Sequence, residues 1–291
     1  MALALSYVAL ISLYTVSGPV VLFSSLSTTN PELTNAFSST NGETLGLLGI
    51  VSLLAWGLGY FGQPHILARF MAIKSAEKIA TARYIAISWT FIGLTTALII
   101  GFAGIVLLDT PLQGSDTEKV FIELLNLLLH PLPAGICLAA ILAAIMSTAD
   151  SQLLVASSAI TEDIYKLFNT HKDNDRNMVF IGRLAVIAIT LFALMLALQS
   201  DSNVLELVSY AWAGFGATFG PVILLSLFWK TMDKSSALIG MISGGLTVII
   251  WKNIDLIHPL FELYELVPGF LIATVCIVLN QCFFVNSTLK A

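Results

Sequence analysis

Residues 84–108, YIAISWTFIGLTTALIIGFAGIVLL, run for 25 residues without a charged side chain. Wound as a helix at 1.5 Å of rise per residue, the run is about 37 Å long, enough to cross the roughly 30 Å hydrocarbon core of a bilayer. Lipid offers no partner to an unpaired amide or carbonyl, and the run lacks the polar alternation of a barrel strand, so it reads as a helix. The rest of the chain has the same character. Of 291 residues, 57% are apolar and 11% are Asp, Glu, Lys or Arg, against roughly 25% charged in soluble domains. This composition excludes a soluble globule and a disordered chain. A net charge of −5 and three cysteines exclude nucleic-acid binding through a basic face and a disulfide scaffold. The expected fold class is all-α, a polytopic protein with the lipid bilayer as its surroundings.

Seven more apolar runs are long enough to span. The eight lie near residues 2–25, 45–68, 84–108, 133–158, 180–199, 207–229, 235–251 and 266–286, and are called spans one to eight. Orientation follows from Lys and Arg, which concentrate in short cytoplasmic loops. Arg69, Lys74, Lys78 and Arg83 follow span two, Lys166, Lys172, Arg176 and Arg183 follow span four, Lys230 and Lys234 follow span six, and Lys290 is in the tail. Only Lys119 and Lys252 fall in the alternate loops. Both the start of span one and the C-terminus are therefore expected on the cytoplasmic side of the cell membrane.

Met1 leads into span one with no basic segment and no small-residue cleavage pattern, so the start does not read as a cleaved signal peptide. A chain beginning at a membrane helix and one beginning partway through a longer protein both fit. No stretch has the length and composition of a soluble domain. Residues 117–130, EKVFIELLNLLLHP from Glu118 onward, read as an amphipathic helix capped by Thr117 and ended before Pro131, lying on or dipping into the outer face. An enzyme is not expected. His65, His130, His171 and His258 are scattered, no HExxH, paired-carboxylate or CxxC arrangement exists, and Cys276 and Cys282 do not share a helical face.

Three spans carry unusual chemistry. In span two, Trp56-Gly57-Leu58-Gly59-Tyr60-Phe61-Gly62-Gln63-Pro64-His65 packs three glycines and a proline into ten residues, each weakening helical hydrogen bonding. Discontinuous helices form midplane binding sites in secondary transporters; close helix packing with a proline kink gives the same pattern. In span four, Ala144, Ser147 and Thr148 share a face, so one carbonyl and two hydroxyls can point into one small volume suited to an alkali cation. Hydroxyls bonding back to the i−4 carbonyl, and close helix approach, are the plain alternatives. Asp150 is the acid inside this span, and intramembrane carboxylates mark ion pathways; a place in the cytoplasmic mouth, a turn below Thr148, fits as well. In span six, Tyr210, Trp212, Phe215 and Phe219 alternate with Gly214, Gly216 and Gly220 before Pro221. That suits a helix that tilts while its rings close over a cavity, and it suits packing alone.

WGLGYFGQPHILARFMA at 56–72, ILAAIMSTADSQLLVASSAITEDIY at 141–165 and SYAWAGFGATFGPV at 209–222 resemble the sodium/solute symporter family, most closely its sodium/proline symporter branch. The resemblance is ordered and continuous from about residue 45 to the end of span eight. It implies a LeuT-like fold of two inverted five-helix repeats with additional terminal helices. Span one then matches the fifth core helix, spans two to six the second repeat, and spans seven and eight the C-terminal additions. A single transmembrane domain over 1–291 is expected to be the C-terminal part of a longer symporter, with the first four core helices as a further partner. A split or decayed gene is a second reading, and a non-transporting membrane remnant is the rival functional class. The implied activity is import of proline, or of another small solute, coupled to sodium by alternating access. Sodium, the co-transported ion, would be held at Ala144, Ser147 and Thr148, and substrate at Trp56, Tyr60 and Pro64 with Gly59 and Gln63 beside them. Asp150 would be an ion exit.

Overall fold

The computed structural model describes residues 1–39, 43–168, 175–199, 204–254 and 263–285. His171, Lys172, His258 and Lys290, named above, lie outside these. Among the described residues the regular elements are helices, with one isolated bridge between Ser38 and Thr44 and no strand. The helices are α1 Ala2–Thr15, α2 Pro19–Thr29, α3 Leu47–Gly59, α4 Pro64–Met71, α5 Lys78–Leu107, α6 Val120–Leu128, α7 Pro131–Ser158, α8 Lys166–Phe168, α9 Asp175–Gln199, α10 Val204–Phe228, α11 Lys234–Asn253 and α12 Leu266–Leu279. Six helices are individually long and apolar enough to cross a membrane, and two sharply bent pairs, α1 with α2 and α3 with α4, bring the number to eight when each pair is one span. This matches the eight apolar runs. The protein is an all-α, multi-pass membrane protein.

Several helices outrun their uncharged cores. α5 begins at Lys78, and α7 passes through a π-helical segment, Ala159–Tyr165, into α8 without stopping. Long basic side chains keep their heads at the interface while their stems lie along the helix, and the Arg83 guanidinium sits 5.3 Å from the centre of the Tyr84 ring.

The chain divides into two compact units. The first, Met1–Ala36 with Ile73–Ser202, holds α1, α2 and α5 to α9. Its core joins Ala4, Val8 and Ala9 of α1 to Ile100 and Ala103 of α5, Leu124 and Leu125 of α6, and Ala134 and Cys137 of α7. Span one is not straight. Ser17 and Gly18 take φ values of 69° and 108°, Pro19 opens α2, and the chain turns through 75°. The turn lays Val16, Leu22 and Leu26 on Ile99, Phe102 and Val106 of α5. The amphipathic helix is present but starts later than expected: Thr117 lies in a 3₁₀ segment, Gly114–Lys119, and its hydroxyl donates to the Gly114 carbonyl rather than capping α6. With Leu124 and Leu125 fully buried, the apolar face of α6 is spent on protein. α6 does end before Pro131, which opens α7.

The second unit, Phe37–Ala72 with Asn203–Ala291, holds α3, α4 and α10 to α12. Ala213, Ala217, Val248 and Leu266 form its centre. Small residues let the helices meet at backbone distance, since a Cβ on Gly244 would overlap the Ala217 carbonyl. Without water to drive apolar association, close packing of this kind holds membrane helices together. At one end, Gln281 accepts from the Asp233 amide at 2.8 Å and donates to the Thr231 carbonyl at 2.9 Å, locking the α10–α11 turn onto the end of α12.

Candidate functional site

Span two breaks where its glycines and proline fall. α3 ends at Gly59, a 3₁₀ turn covers Tyr60–Gly62, Gln63 is extended, and Pro64 starts α4 at 54° to the first segment. In an unbroken helix the Gln63 amide would donate to the Gly59 carbonyl. Here that amide faces the Tyr60 carbonyl at 3.5 Å. The Gln63 side chain supplies the lost donor instead, with Nε2 3.3 Å from the Gly59 carbonyl and 3.3 Å from the Trp212 carbonyl of α10. Gln63 is 4% exposed, so its amide is the local substitute for a helical hydrogen bond and a tie to α10.

Two glycines permit this approach. A Cβ on Gly59 would overlap the Trp212 indole, and one on Gly62 would overlap the backbone carbonyl of Phe215. Around them four aromatic rings gather. Trp56 belongs to two stacked pairs, with Trp212 at 5.5 Å and 14°, and with Tyr264 at 6.2 Å and 13°. Tyr60 meets Trp212 edge-on at 4.8 Å, and the Trp212 indole donates to the Trp56 carbonyl at 2.9 Å. The structure thus brings Trp56, Gly59, Tyr60, Gln63 and Pro64 into one break. It spends much of Trp56 on protein neighbours and leaves Tyr60 49% exposed.

Tyr264, in the turn before α12, was not singled out by the sequence. Its amide donates to the Ser52 hydroxyl at 3.0 Å and its own hydroxyl to the Ser209 carbonyl at 2.7 Å. Burial, then the Glu265 carboxylate, push its phenol above the ordinary range, so it remains a donor. No one-dimensional signal links FELYELVPG to span two.

Ala144, Ser147 and Thr148 do share a face of α7. Both hydroxyls donate to the Ala144 carbonyl, at 2.9 and 3.1 Å, the back-bonding pattern named above as a plain alternative, and their remaining lone pairs are available. Ser147, Thr148 and Asp150 are exposed. Among the described residues no three His, Cys, Asp or Glu side chains gather as a metal centre. A 550 Å³ cavity in the first unit, along α5 from Ala97 to Ile105 and on to Leu108, has a mostly apolar lining and includes none of the expected site residues.

The model of the sodium:solute symporter family matches residues 1–244. The chain belongs to that family. Among its relatives, the high-affinity proline transporter PutP of Bacillus subtilis is 47% identical over 268 residues, covering 92% of this chain and 55% of the relative. The sodium/proline symporter of Salmonella typhimurium is 49% identical over 240 residues, 81% of this chain and 47% of the relative. That of Escherichia coli is 50% identical over 239 residues, 80% and 47%. The chain spans about half the length of the curated relatives it matches. These relatives are transporters, not enzymes.

Proposed function

We propose that this chain forms part of a sodium-coupled symporter that imports L-proline by alternating access. The observation that carries the reading is the break in span two, where backbone leaves helical bonding beside exposed aromatic surface, in a chain 43–50% identical to relatives named as proline transporters or symporters. Tyr60 offers its exposed ring to the pyrrolidine, with Trp212 edge-on against it and Trp56 stacked on Trp212. α4, opening at Pro64, presents a helix N-terminus, which favours a carboxylate. Gly59 and Gln63 hold the break open.

Sodium binds through Ala144, Ser147 and Thr148 once the two hydroxyls turn their hydrogens away from the Ala144 carbonyl. Three neutral oxygens are too few to offset dehydration of a cation, so further ligands complete the site, and helices N-terminal to this chain are the proposed source. Sodium and proline then raise each other's affinity by a shared coupling of about 1 to 3 kcal/mol. Each charge moving inward gains about 2.3 kcal/mol per 100 mV, with Asp150 at the cytoplasmic exit. The location is the cytoplasmic membrane with the C-terminus inside, supported by eleven of thirteen basic residues on one side.

The test is uptake of labelled proline in a strain lacking proline transport, with this chain joined to the part of a relative that it does not match. Sodium-stimulated accumulation, competed by proline and not by other small solutes, is expected. Accumulation of another solute in preference would overturn the substrate; uptake indifferent to sodium would overturn the coupling.

A further inference from the structure

We propose that Tyr264 is a positioning residue for the substrate-side aromatic Trp56, acting as a strap that ties α3 to α10 at the height of the stacked rings. The inference rests on the substrate reading above. Trp56 lies three residues before α3 ends, so continuing helix on its C-terminal side does little to fix it, and the neighbouring Tyr60 is already in the 3₁₀ turn. What fixes Trp56 comes from elsewhere in the chain.

Tyr264 grips at three points. Its ring stacks on Trp56 at 6.2 Å. Its amide holds the hydroxyl of Ser52, one turn before Trp56, and its hydroxyl holds the carbonyl of Ser209, one turn before Trp212. The two polar ties thus fall one turn upstream of the two stacked tryptophans, on both helices. Trp212 in turn bonds the Trp56 carbonyl and meets Tyr60 edge-on. A shift of Tyr264 therefore passes to Trp56, and through Trp212 to the exposed ring of Tyr60. The turn itself is anchored, because the Trp251 indole of α11 donates to the Leu263 carbonyl at 3.0 Å and Leu266 is fully buried in the centre of the unit.

Packing mortar and a positioning residue differ in what their loss moves. Mortar affects abundance, sodium response and proline response together; a strap on Trp56 affects proline alone. Two variants separate ring from hydroxyl. Tyr264→Phe keeps the stack and loses the Ser209 tie, and Tyr264→Leu loses both. The indole exciton couplet in circular dichroism of the 291-residue chain in nanodiscs reads the Trp56–Trp212 stack, assigned by its disappearance in Trp56→Phe. Tyr264→Leu is expected to lose most of this couplet, and Tyr264→Phe to keep it. In the uptake assay the KM for proline should rise about fivefold in Tyr264→Phe, the scale of one net hydrogen bond, and further in Tyr264→Leu, where stacking is also lost. Half-saturating sodium, read at saturating proline so that the coupling does not carry the loss over, should stay within about twofold. A couplet undisturbed in Tyr264→Leu, or proline KM and sodium half-saturation rising in step, would overturn the proposal. If the joined protein of the uptake assay, with Tyr264 intact, shows no proline uptake, the substrate reading falls by itself and the couplet still decides whether Tyr264 holds Trp56.

Discussion

The three glycines near the break in span two are alike in sequence and unlike in what surrounds them. A Cβ on Gly57 meets nothing within 4 Å, one on Gly59 meets the Trp212 side chain, and one on Gly62 meets the Phe215 backbone. Alanine scanning should therefore be graded. Gly57→Ala is expected to be neutral or stabilising by up to about 1 kcal/mol from helix propensity. Gly59→Ala should cost about 1 to 3 kcal/mol by overpacking, and Gly62→Ala more than Gly59→Ala, read as protein surviving heating in detergent. Equal losses at all three would mean that the close approach to α10 is not as described. At the proposed cation face, replacing Ser147 and Thr148 together by Ala should raise half-saturating sodium at least tenfold with abundance little changed, because both residues are exposed and among the described residues their hydroxyls bond to the Ala144 carbonyl of their own helix. Unchanged sodium dependence would return both to helix packing. The identities of these residues were legible in the sequence as hydroxyls on one helical face and aromatics beside glycine. Their partners were not, since Trp56 and Trp212 lie 156 residues apart and no periodicity encodes such a pairing.

Helical breaks depend on what replaces the missing hydrogen bonds. At Gln63 a side-chain amide does so, and the requirement is for a donor facing two carbonyls. Gln63→Leu should cost about 1 to 3 kcal/mol by stranding them, and Gln63→Glu should cost more, because a carboxylate brings a buried charge and no donor. Comparable stability of Glu and wild type at neutral pH would refute that account. The break in span one works differently, through Gly18 at φ 108°. A Cβ there meets no atom, so Gly18→Ala should lose about 1 to 3 kcal/mol from backbone strain alone, whereas Gly135→Ala in α7, also in open space, should lose nothing. Span two announced its break through three glycines and a proline. Span one hid its own, because residues 2–25 form one apolar run and hydropathy overrode Ser17-Gly18-Pro19, whose Gly-Pro step is itself a turn signal. The start of α6 was misplaced for a related reason: Thr117 has the chemistry of a cap, but its hydroxyl found the Gly114 carbonyl three residues back.

For the whole molecule, charge placement was the most legible property, since the spans are what lies between the charges. The two basic residues assigned to the outer side are each paired with an acid, Lys119 with Asp116 at 2.6 Å and Lys252 with Glu206 at 3.2 Å. Both pairs are exposed and add little stability, yet they leave the loops expected outside with almost no unbalanced positive charge. A reporter fused after residue 291 should accordingly be active only on the cytoplasmic side, and one inserted near residue 113 only outside. The reverse pattern would invert the topology. Residues 1–291 expressed by themselves should enter the membrane yet show no sodium-stimulated proline accumulation, because the proposed ligands Ala144, Ser147 and Thr148 would be too few for a bare cation. Uptake by the purified chain in liposomes would refute this.

The contact between Gly62 and the backbone of residue 215 also bears on how such a sequence can change over time. Where two side chains touch, one can shrink as the other grows, and lineages drift through paired exchanges. A carbonyl offers no such exchange, because every residue carries the same one. Position 62 should therefore stay glycine whatever stands at 215, while 215 itself wanders among large apolar residues, Phe215 being 44% exposed. Across natural members of the family the two positions, in direct contact, should show no covariation at all.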